Sequence, residues 1–549
     1  MISNHKNNRI EYPLFLLIFL FAISTWTFAQ SKPNIVWITC EDISPFLPSY
    51  GDSTIETPNI SLLAAEGVRF TRMFSVYGVC APSRSSIISG MYPNSIGSMD
   101  MRTVTANRDN AALPNYETVP PAEVKCFTEY LRAAGYYCTN NSKTDYQFKP
   151  PITAWDENSK TATWRHRAPG QPFFAVFNIE VTHESQIWIR RNRPLRVNPG
   201  KIKVPPYFPQ NNPVIRRDIA RVYDNIMLMD DKVGQLLNEL RSDHLLDSTI
   251  VFFYSDHGGP IAWYKREPYD RGTLVPFIIR FPGKKDAGTT DENLHSFVDL
   301  APTMLSLAGL PIPTYLQGQA FLGIKKAKKP RQYIFTARDR MDVFYDLIRS
   351  VRDTQYRYVR NYNPDLLKYS DNTYRKNMPM MQEILRLKDK DSLNAPLQKW
   401  FSPKMPEEFY DIQKDPYELN NLADQAKYAE VLQQMRDQEE NWVMQIRDKG
   451  FMQEKDLINL MWPGMIQPAT SAPLIQKLSN EENAEIVQIK CETPGASIAY
   501  RLSTDSPDAW RLYSHVISLP AGSAVYAKAI RIGYKESEEI RYPHHKKQR

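Results

Sequence analysis

Cys80 opens the run Cys-Ala-Pro-Ser-Arg, which continues Ser85-Ser86-Ile87-Ile88-Ser89-Gly90. Pro82 and the apolar pair Ile87-Ile88 predict a helix that starts at this run and stops at Gly90. Cys80 then stands at a helix N-terminus, where free N–H groups and partial positive charge favour an anion. Arg84, one turn in, is expected to point back at the same spot. A cysteine, a cation and a helix N-terminus make an anion site with a nucleophile; the plainer alternative is a structural cysteine buried in a turn. Two acidic groups stand elsewhere in the chain, Glu41-Asp42 and Asp256-His257-Gly258. Three carboxylates supply the oxygen ligands that Ca²⁺ or Mg²⁺ prefers. If the two groups converge they hold one hard cation; if not, they are solvated strand ends or helix caps.

The elements around these residues decide between the readings. Residues 34–39 (NIVWIT) read as a buried strand that runs directly into Glu41-Asp42, and residues 249–254 (TIVFFY) as another that runs into Asp256. Residues 173–179 and 276–281 read as further strands. Thr57-Pro58 starts a helix with Ile60, Leu63 and Ala64 on one face and Gly67 as its stop. Residues 217–240 carry helical period through Ile219, Val222, Ile226, Met229, Val233 and Leu240. Apolar strands alternating with amphipathic helices indicate a mostly parallel α/β sheet covered on both faces. In such sheets ligands bind outside the carboxyl ends of the strands, where both acidic groups fall. One more amphipathic helix is expected over 424–448. From about Pro468 the texture changes to short strands at 485–491, 497–502 and 523–532, an antiparallel β-sandwich. Residues 325–331 (KKAKKPR) read as a basic surface loop.

The chain has 549 residues, 42% hydrophobic and 23% charged, the balance of a globular protein with two or three domains. This excludes a disordered chain, a fibrous repeat and a multi-span membrane protein. The net charge of +7 permits an anionic partner without requiring one. Lys6 and Arg9, the apolar run 14–23 and Thr27-Phe28-Ala29 follow the pattern of a secretory signal peptide over 1–29. The apolar run is too short to cross a bilayer core of ~30 Å; a membrane anchor is the alternative. The expected location is periplasmic or secreted, with no stable membrane insertion. Five cysteines in an exported chain leave at least one unpaired. Cys126 and Cys138 flank a helix-like segment and are candidates for a disulfide.

Residues 80–90 resemble the signature of the type I sulfatases, C-x-P-S-R-x-x-x-x-[ST]-G. Residues 131–143 (LRAAGYYCTNNSK), 298–309 (VDLAPTMLSLAG) and 410–422 (YDIQKDPYELNNL) look like further family segments, and the resemblance covers roughly residues 33–425. Within the family, residues 204–276 are most similar to the N-sulfoglucosamine sulfohydrolases. The tail resembles the C-terminal β-sandwich of chitobiase-type glycosidases. The resemblance implies an alkaline-phosphatase-like mixed sheet sandwiched by helices (30–334), a smaller C-terminal α+β subdomain (335–465) and an appended antiparallel β-sandwich (466–549).

It also implies a chemistry. In that family a maturation enzyme oxidises the cysteine to formylglycine, and the aldehyde hydrate is the nucleophile, so the thiol of Cys80 is a precursor. Glu41, Asp42, Asp256 and His257, together with the matured Cys80 side chain, match the ligands of a divalent metal, most simply Ca²⁺. Arg84 would stabilise the oxyanion, Lys143 and Lys265 match sulfate-binding lysines, and His183 would protonate the leaving amine or alcohol. Arg266 is the alternative to Lys265. Three positions depart from the family pattern: Glu41 replaces the usual Asp, His257 stands where Asn is common, and Asp145 occupies the place of a histidine two residues after the first lysine. No role is carried over to Asp145.

The implied function is hydrolysis of sulfate from sulfated sugars, with the N-sulfate of glucosamine in heparin- or heparan-sulfate-type glycosaminoglycans as the leading candidate. The alternatives are an O-sulfatase, for example on 6-O-sulfo-N-acetylglucosamine, a phosphonate or phosphodiester hydrolase, and a catalytically dead carbohydrate-binding protein. Arg190, Arg191, Arg193 and Arg196, with Arg165, His166, Arg167, Lys201 and Lys203, suit a sulfated oligosaccharide or polysaccharide if their loops rim the pocket; otherwise they are solvated basic loops. No nucleic-acid motif, P-loop or G-x-G-x-x-G is present.

Overall fold

A computed structural model describes Met1 and residues 32–103 and 113–543. The expected signal peptide lies outside the described residues. Nine strands build the main sheet: β1 (Asn34–Cys40), β2 (Val68–Phe74), β3 (Tyr137–Asn141), β4 (Glu157–Asn158), β5 (Phe173–Ile179), β6 (Thr249–Ser255), β7 (Leu274–Arg280), β8 (Thr289–Asp291) and β9 (His295–Ser296). Their spatial order is β4-β3-β5-β1-β6-β7-β2-β8, with β9 also on β2. Strands β4 to β6 in that order run parallel, whereas β7 is antiparallel to both β6 and β2. The sheet is therefore mixed, with its parallel half carrying the acidic strand ends.

Every residue of β6 is buried, as is all of β1 after Asn34. Burial on both faces explains why these strands are continuous apolar runs with no polar alternation. Period two then sorts β1 between two cores. Val36 and Ile38 face helix α1 (Pro58–Ala65) and the long helix α4 (Pro213–Ser242), whose Ile219, Ile226, Met229 and Val233 supply that layer. Ile35 and Trp37 face the other side, with Phe127 of α3 (Phe127–Ala133), Ile87 and Ile88 of α2 (Cys80–Ser89), and Leu300 and Met304 of α5 (Leu300–Leu307). Helix α4 begins one turn before the periodic stretch. Pro213 takes its first position, and the Asn212 side chain accepts hydrogen bonds from the amides of Val214 and Ile215.

A second, antiparallel sheet follows in the order β10 (Ile334–Arg338), β11 (Ile348–Arg352), β12 (Tyr356–Asn361), β13 (Glu407–Asp411). Helix α6 (Ala429–Ile446) covers it through Leu432 and Met435, which pack on Val351, Tyr358 and Phe409. Helix α7 (Glu454–Met461) joins the apolar cluster that surrounds Val79 and Cys80. The tail forms two antiparallel sheets. One contains β14 (Leu474–Glu481), β15 (Ala484–Lys490) and β18 (Ile517–Pro520). The other contains β16 (Ser497–Leu502), β17 (Arg511–Leu512), β19 (Val525–Ile530) and β20 (Ile540–Tyr542). Val487, Ile489, Leu519, Val525 and Ala527 fill the space between them.

The tail is seated on the segment that leads into α3. Lys125 Nζ donates to the Gly495 carbonyl at 2.6 Å and to Ser497 Oγ at 2.9 Å, and Arg132 donates to the Trp510 carbonyl at 3.2 Å. Gly495 has φ +75°, and a Cβ there would lie 2.2 Å from the Ala122 carbonyl oxygen, so only glycine allows this approach.

The candidate disulfide is not formed, and the basic loop lies at the surface as expected. Cys126 and Cys138 are both buried free thiols, as are Cys40 and Cys80, and Cys491 is also unpaired. In the basic loop 325–331, Arg331 folds inward onto Asp299. No helix among the described residues is long and apolar enough to cross a membrane.

Candidate active site

The carboxyl ends of β1 and β6 are neighbours, because the two strands pair in parallel from Asn34↔Thr249 to Cys40↔Ser255. The chain after each strand therefore delivers its acids to one place. Asp42 turns inward with φ +50°, a backbone region that Asp tolerates better than most residues, and its amide donates to Asp256 Oδ1 at 3.2 Å. All ten residues of α2 are buried, with Gly90 closing the helix in the left-handed conformation. Its first residue, Cys80, meets the two acidic loops. One ligand atom from each of Glu41, Asp42, Cys80 and His183 lies within 4.8 Å of the others, and the same holds for Asp42, Cys80, Asp256 and His257.

Arg84 does not aim at Cys80. Its guanidinium clamps the two strand ends together, with Nε 3.0 Å from Asp256 Oδ2, Nη2 3.0 Å from Glu41 Oε1 and Nη1 2.7 Å from Asn178 Oδ1 of β5. Lys143 Nζ sits 2.7 Å from Glu41 Oε2. Lys265, 1% exposed, places Nζ 2.7 Å from Asp42 Oδ2 and 3.6 Å from Cys80 Sγ. His183 Nε2 lies 4.0 Å from Glu41 Oε2, and its Nδ1 is 2.8 Å from Ser185 Oγ. Arg266 is turned away into a two-pronged pair with Glu184 at 2.9 and 2.6 Å, so Lys265 is the cation that faces Cys80.

Both ring nitrogens of His257 have a neighbour. Nδ1 lies 3.0 Å from the Gly258 carbonyl, which can only accept, so Nδ1 carries a proton. Nε2 faces inward, 3.2 Å from Cys80 Sγ and 3.0 Å from Asp42 Oδ1. This is the arrangement of a metal-ligating imidazole whose other nitrogen is held by a carbonyl.

The electrostatics follow from this crowding. Burial raises the Cys80 thiol, but Lys265, then Lys143, outweigh it and bring the thiol down to about 5. Burial pushes Glu41 up to about 7 against the pull of Lys143. Asp256 is brought down to about 2, its burial outweighed by His257 and Arg84. Burial and Lys265 lower the His183 imidazole, but Asp42 and Cys80 outweigh them and leave it above its ordinary value.

The donor set fits a hard divalent cation. Asp42 and Cys80 meet Glu41 and His183 in one group of donor atoms and Asp256 and His257 in another, and the fully buried Asp42 Oδ1 has His257 Nε2 3.0 Å away but no regular hydrogen bond. A buried carboxylate oxygen left in that state calls for a ligand.

A cavity of about 350 Å³ opens beside this cluster, lined by His183, Lys265, Arg102, Asp342, Asn372 and Tyr374 among others. The basic cluster expected at the rim is not among its lining residues. Arg165 pairs with Glu239 and Asp243, and Arg196 with Asp224, all on or capping α4. Lys201 and Lys203 line a different cavity. Glu184 and Asn178 escaped the sequence reading. Glu184 is adjacent to His183, but its two lysine and arginine partners are some eighty residues away in the chain.

Residues 33–310 match the sequence profile of the sulfatase family. The chain belongs to the sulfatase family. Residues 259–378 of this sulfatase also match the C-terminal region of N-sulphoglucosamine sulphohydrolase. It is 43% identical to an ulvan-active sulfatase of Formosa agariphila, over 93% of this chain and 91% of that protein. It is 25% identical to human N-sulphoglucosamine sulphohydrolase, over 74% of this chain and 90% of that one. In fold it is similar to a protein solved in complex with its substrate D-glucosamine-2-N,6-O-disulfate. That likeness has a TM-score of 0.56 and 18% identity, and covers 77% of this sulfatase and all of that chain. The alkaline-phosphatase-like sheet, the enzymatic class and sulfate hydrolysis thus follow for this chain.

Proposed function

We propose that this sulfatase removes O-linked sulfate from a sulfated polysaccharide or its oligosaccharides, with ulvan as the first substrate to test. The observation that carries the chemistry is the cluster around Cys80: Lys265 and His257 contact its Sγ, Glu41, Asp42, His183 and Asp256 gather beside it, and Arg84 and Lys143 hold the acids. The 43% identity to an ulvan-active sulfatase supports the substrate. A second reading keeps N-sulfated glucosamine. The match of residues 259–378 to the C-terminal region of N-sulphoglucosamine sulphohydrolase favours it.

In this reading Cys80 is oxidised to formylglycine by a maturation enzyme, and its Sγ marks the place of the aldehyde oxygen. The hydrated aldehyde would supply the nucleophilic oxygen; Glu41, Asp42, Asp256 and His257 would hold a divalent cation, most simply Ca²⁺, which would supply positive charge to the site. The chain's own residues do the rest. Lys265 and Lys143 bind sulfate oxygens from two sides, and the N-terminus of α2 adds free N–H groups directed at the same anion. These charges are fixed before substrate arrives, so they cost no reorganisation during the reaction. Arg84 holds the two acidic strand ends in register. His183, with Nδ1 tied to Ser185, presents Nε2 as the proton donor to the leaving oxygen or nitrogen. We further propose export through the segment 1–29, and segmentation at about 334/335 and 465/466.

Protein co-expressed with a maturation enzyme is assayed for sulfate release from ulvan oligosaccharides and from N-sulfoglucosamine, with Cys80→Ala as control. Release from ulvan alone supports the first reading, and release from the N-sulfo sugar alone replaces it with the second. Release that persists in Cys80→Ala sinks the mechanism for both.

A further inference from the structure

Asp145 stands two residues after Lys143, and the mechanism above gives it no task. Its backbone is left-handed, with φ +53°. Oδ1 accepts from Arg102 Nη1 at 3.1 Å, while Oδ2 is buried with no hydrogen-bond partner. Arg102 Nη1 also donates to the Met101 carbonyl at 2.9 Å. Among the described residues nothing accepts from Arg102 Nε or Nη2, and the side chain is 34% exposed. Arg102 lines the same 350 Å³ cavity as His183 and Lys265.

A guanidinium that described residues hold through one nitrogen, at the wall of a cavity, is suited to receive an oxyanion. The scissile sulfate already has Lys143, Lys265 and the α2 terminus. Other lining residues are differently equipped: Asn372 donates to Asp342, and the Tyr374 ring is edge-on to Trp188 at 5.1 Å. Neither of those groups balances a second negative charge.

We propose that the Asp145–Arg102 pair is a second anion subsite, in which Arg102 binds a carboxylate or second sulfate of the sugar whose sulfate is cleaved, and Asp145 positions Arg102. The proposal rests on the reading that this site cleaves a sulfated saccharide. It makes the enzyme selective for sugars bearing two anionic groups. It also gives Asp145 a role as a charged acceptor that holds an arginine by an ion pair, which a neutral histidine would not supply.

The test uses two substrate pairs, each differing by one anionic group. One is a sulfated uronate-containing disaccharide beside its carboxyl-reduced form; the other is glucosamine-2-N,6-O-disulfate beside N-sulfoglucosamine. The readout is the ratio of kcat/KM within each pair. For any saccharide not turned over, Ki against 4-nitrophenyl sulfate hydrolysis replaces it. The matured wild-type enzyme is expected to prefer the dianion of at least one pair by roughly 10–100-fold, the scale of a charge-assisted forked contact. Which pair shows the preference tells carboxylate from sulfate. Arg102→Ala is expected to bring that ratio close to one, Arg102→Lys to leave it intermediate, and Asp145→Asn to lower it. Arg165→Ala, a surface arginine paired with α4, should keep the wild-type ratio. A wild-type ratio near one in both pairs overturns the proposal, and so does a ratio that Arg102→Ala leaves unchanged. If no saccharide releases sulfate, yet the Ki preference exists and vanishes in Arg102→Ala, the subsite stands and the saccharide-sulfatase reading falls.

Discussion

Lys265 Nζ bridges Asp42 and Cys80, 2.7 Å from the carboxylate Oδ2 and 3.6 Å from Sγ. In the proposed mechanism one buried ammonium therefore fixes a metal-side acid and sets the charge at the nucleophile's position. Lys265→Met keeps most of the volume and removes the charge. The expected result is a fall in kcat/KM for 4-nitrophenyl sulfate of about 10²–10³, the usual cost of deleting one preorganised charge stabiliser. Steady-state kinetics on matured protein checks it; a loss below tenfold would assign sulfate binding to Lys143 alone.

Removing the cation should uncover the repulsion among Glu41, Asp42 and Asp256. Chelator-treated enzyme is expected to lose activity and melt at a lower temperature, with both restored by Ca²⁺. Asp256→Asn should weaken Ca²⁺ binding by about 10–100-fold, on the scale of losing one ordered ligand. Calorimetric titration of chelated protein measures this directly.

Gly258 follows His257 where two loops nearly touch. A Cβ there would lie 2.5 Å from the Arg271 carbonyl oxygen and 2.6 Å from the Gly272 carbonyl carbon. Gly258→Ala is expected to cost about 1–3 kcal/mol of stability, the range for forced overpacking. It should also displace His257, so denaturant midpoint and Ca²⁺ affinity should fall together. An unchanged affinity in a destabilised variant would free His257 from the metal site.

Asp218 tests the pH response away from the active site. Burial inside α4 pushes its carboxyl up to about 7, against the Met380 amide that donates to it at 2.6 Å and against Arg217 and Arg221. Its folded value is above its unfolded one, so the folded state binds the extra proton between about pH 4 and 7. Its contribution is fully present below pH 4 and is lost as pH rises through 7. Asp218→Asn keeps the acceptor and removes the titration. The melting temperature of the variant relative to wild type should rise from pH 4 to pH 8 by the equivalent of a few kcal/mol, since each tenfold difference in proton affinity is worth about 1.4 kcal/mol. Parallel melting curves across that range would show that Asp218 is not perturbed.

The elements around the candidate site that were legible in the sequence were those written locally. The helix at Cys80, its stop at Gly90 and the acids after β1 and β6 are each contained in about ten residues. The direction of β7 was not legible, because an apolar run of seven residues has a period but no polarity. Arg84 was placed at the right end of the right helix but aimed at the wrong partner, since its partners come from three strands distant in sequence. The basic run 190–196 failed for a related reason. A row of arginines announces charge but not where each side chain is held: Arg196 pairs with Asp224 and Asp231 of α4, Arg190 bonds Asn225 of the same helix, and Arg191 and Arg193 are exposed. The cavity wall of Arg102, Asp342 and Asn372 left no motif at all, being assembled from three separate loops.

The ten residues of α2 are all buried, and Cys80 is 1% exposed. No second protein can reach that side chain once the helix has packed between the sheet and α5. If Cys80 is to be oxidised by another enzyme, the encounter belongs to the unfolded or nascent chain, before the core closes. Catalytic competence in this chain is then decided in time as well as in space. A molecule that folds first is sealed permanently with its thiol, correctly shaped and inert, and no later exposure to the oxidising enzyme will convert it without unfolding.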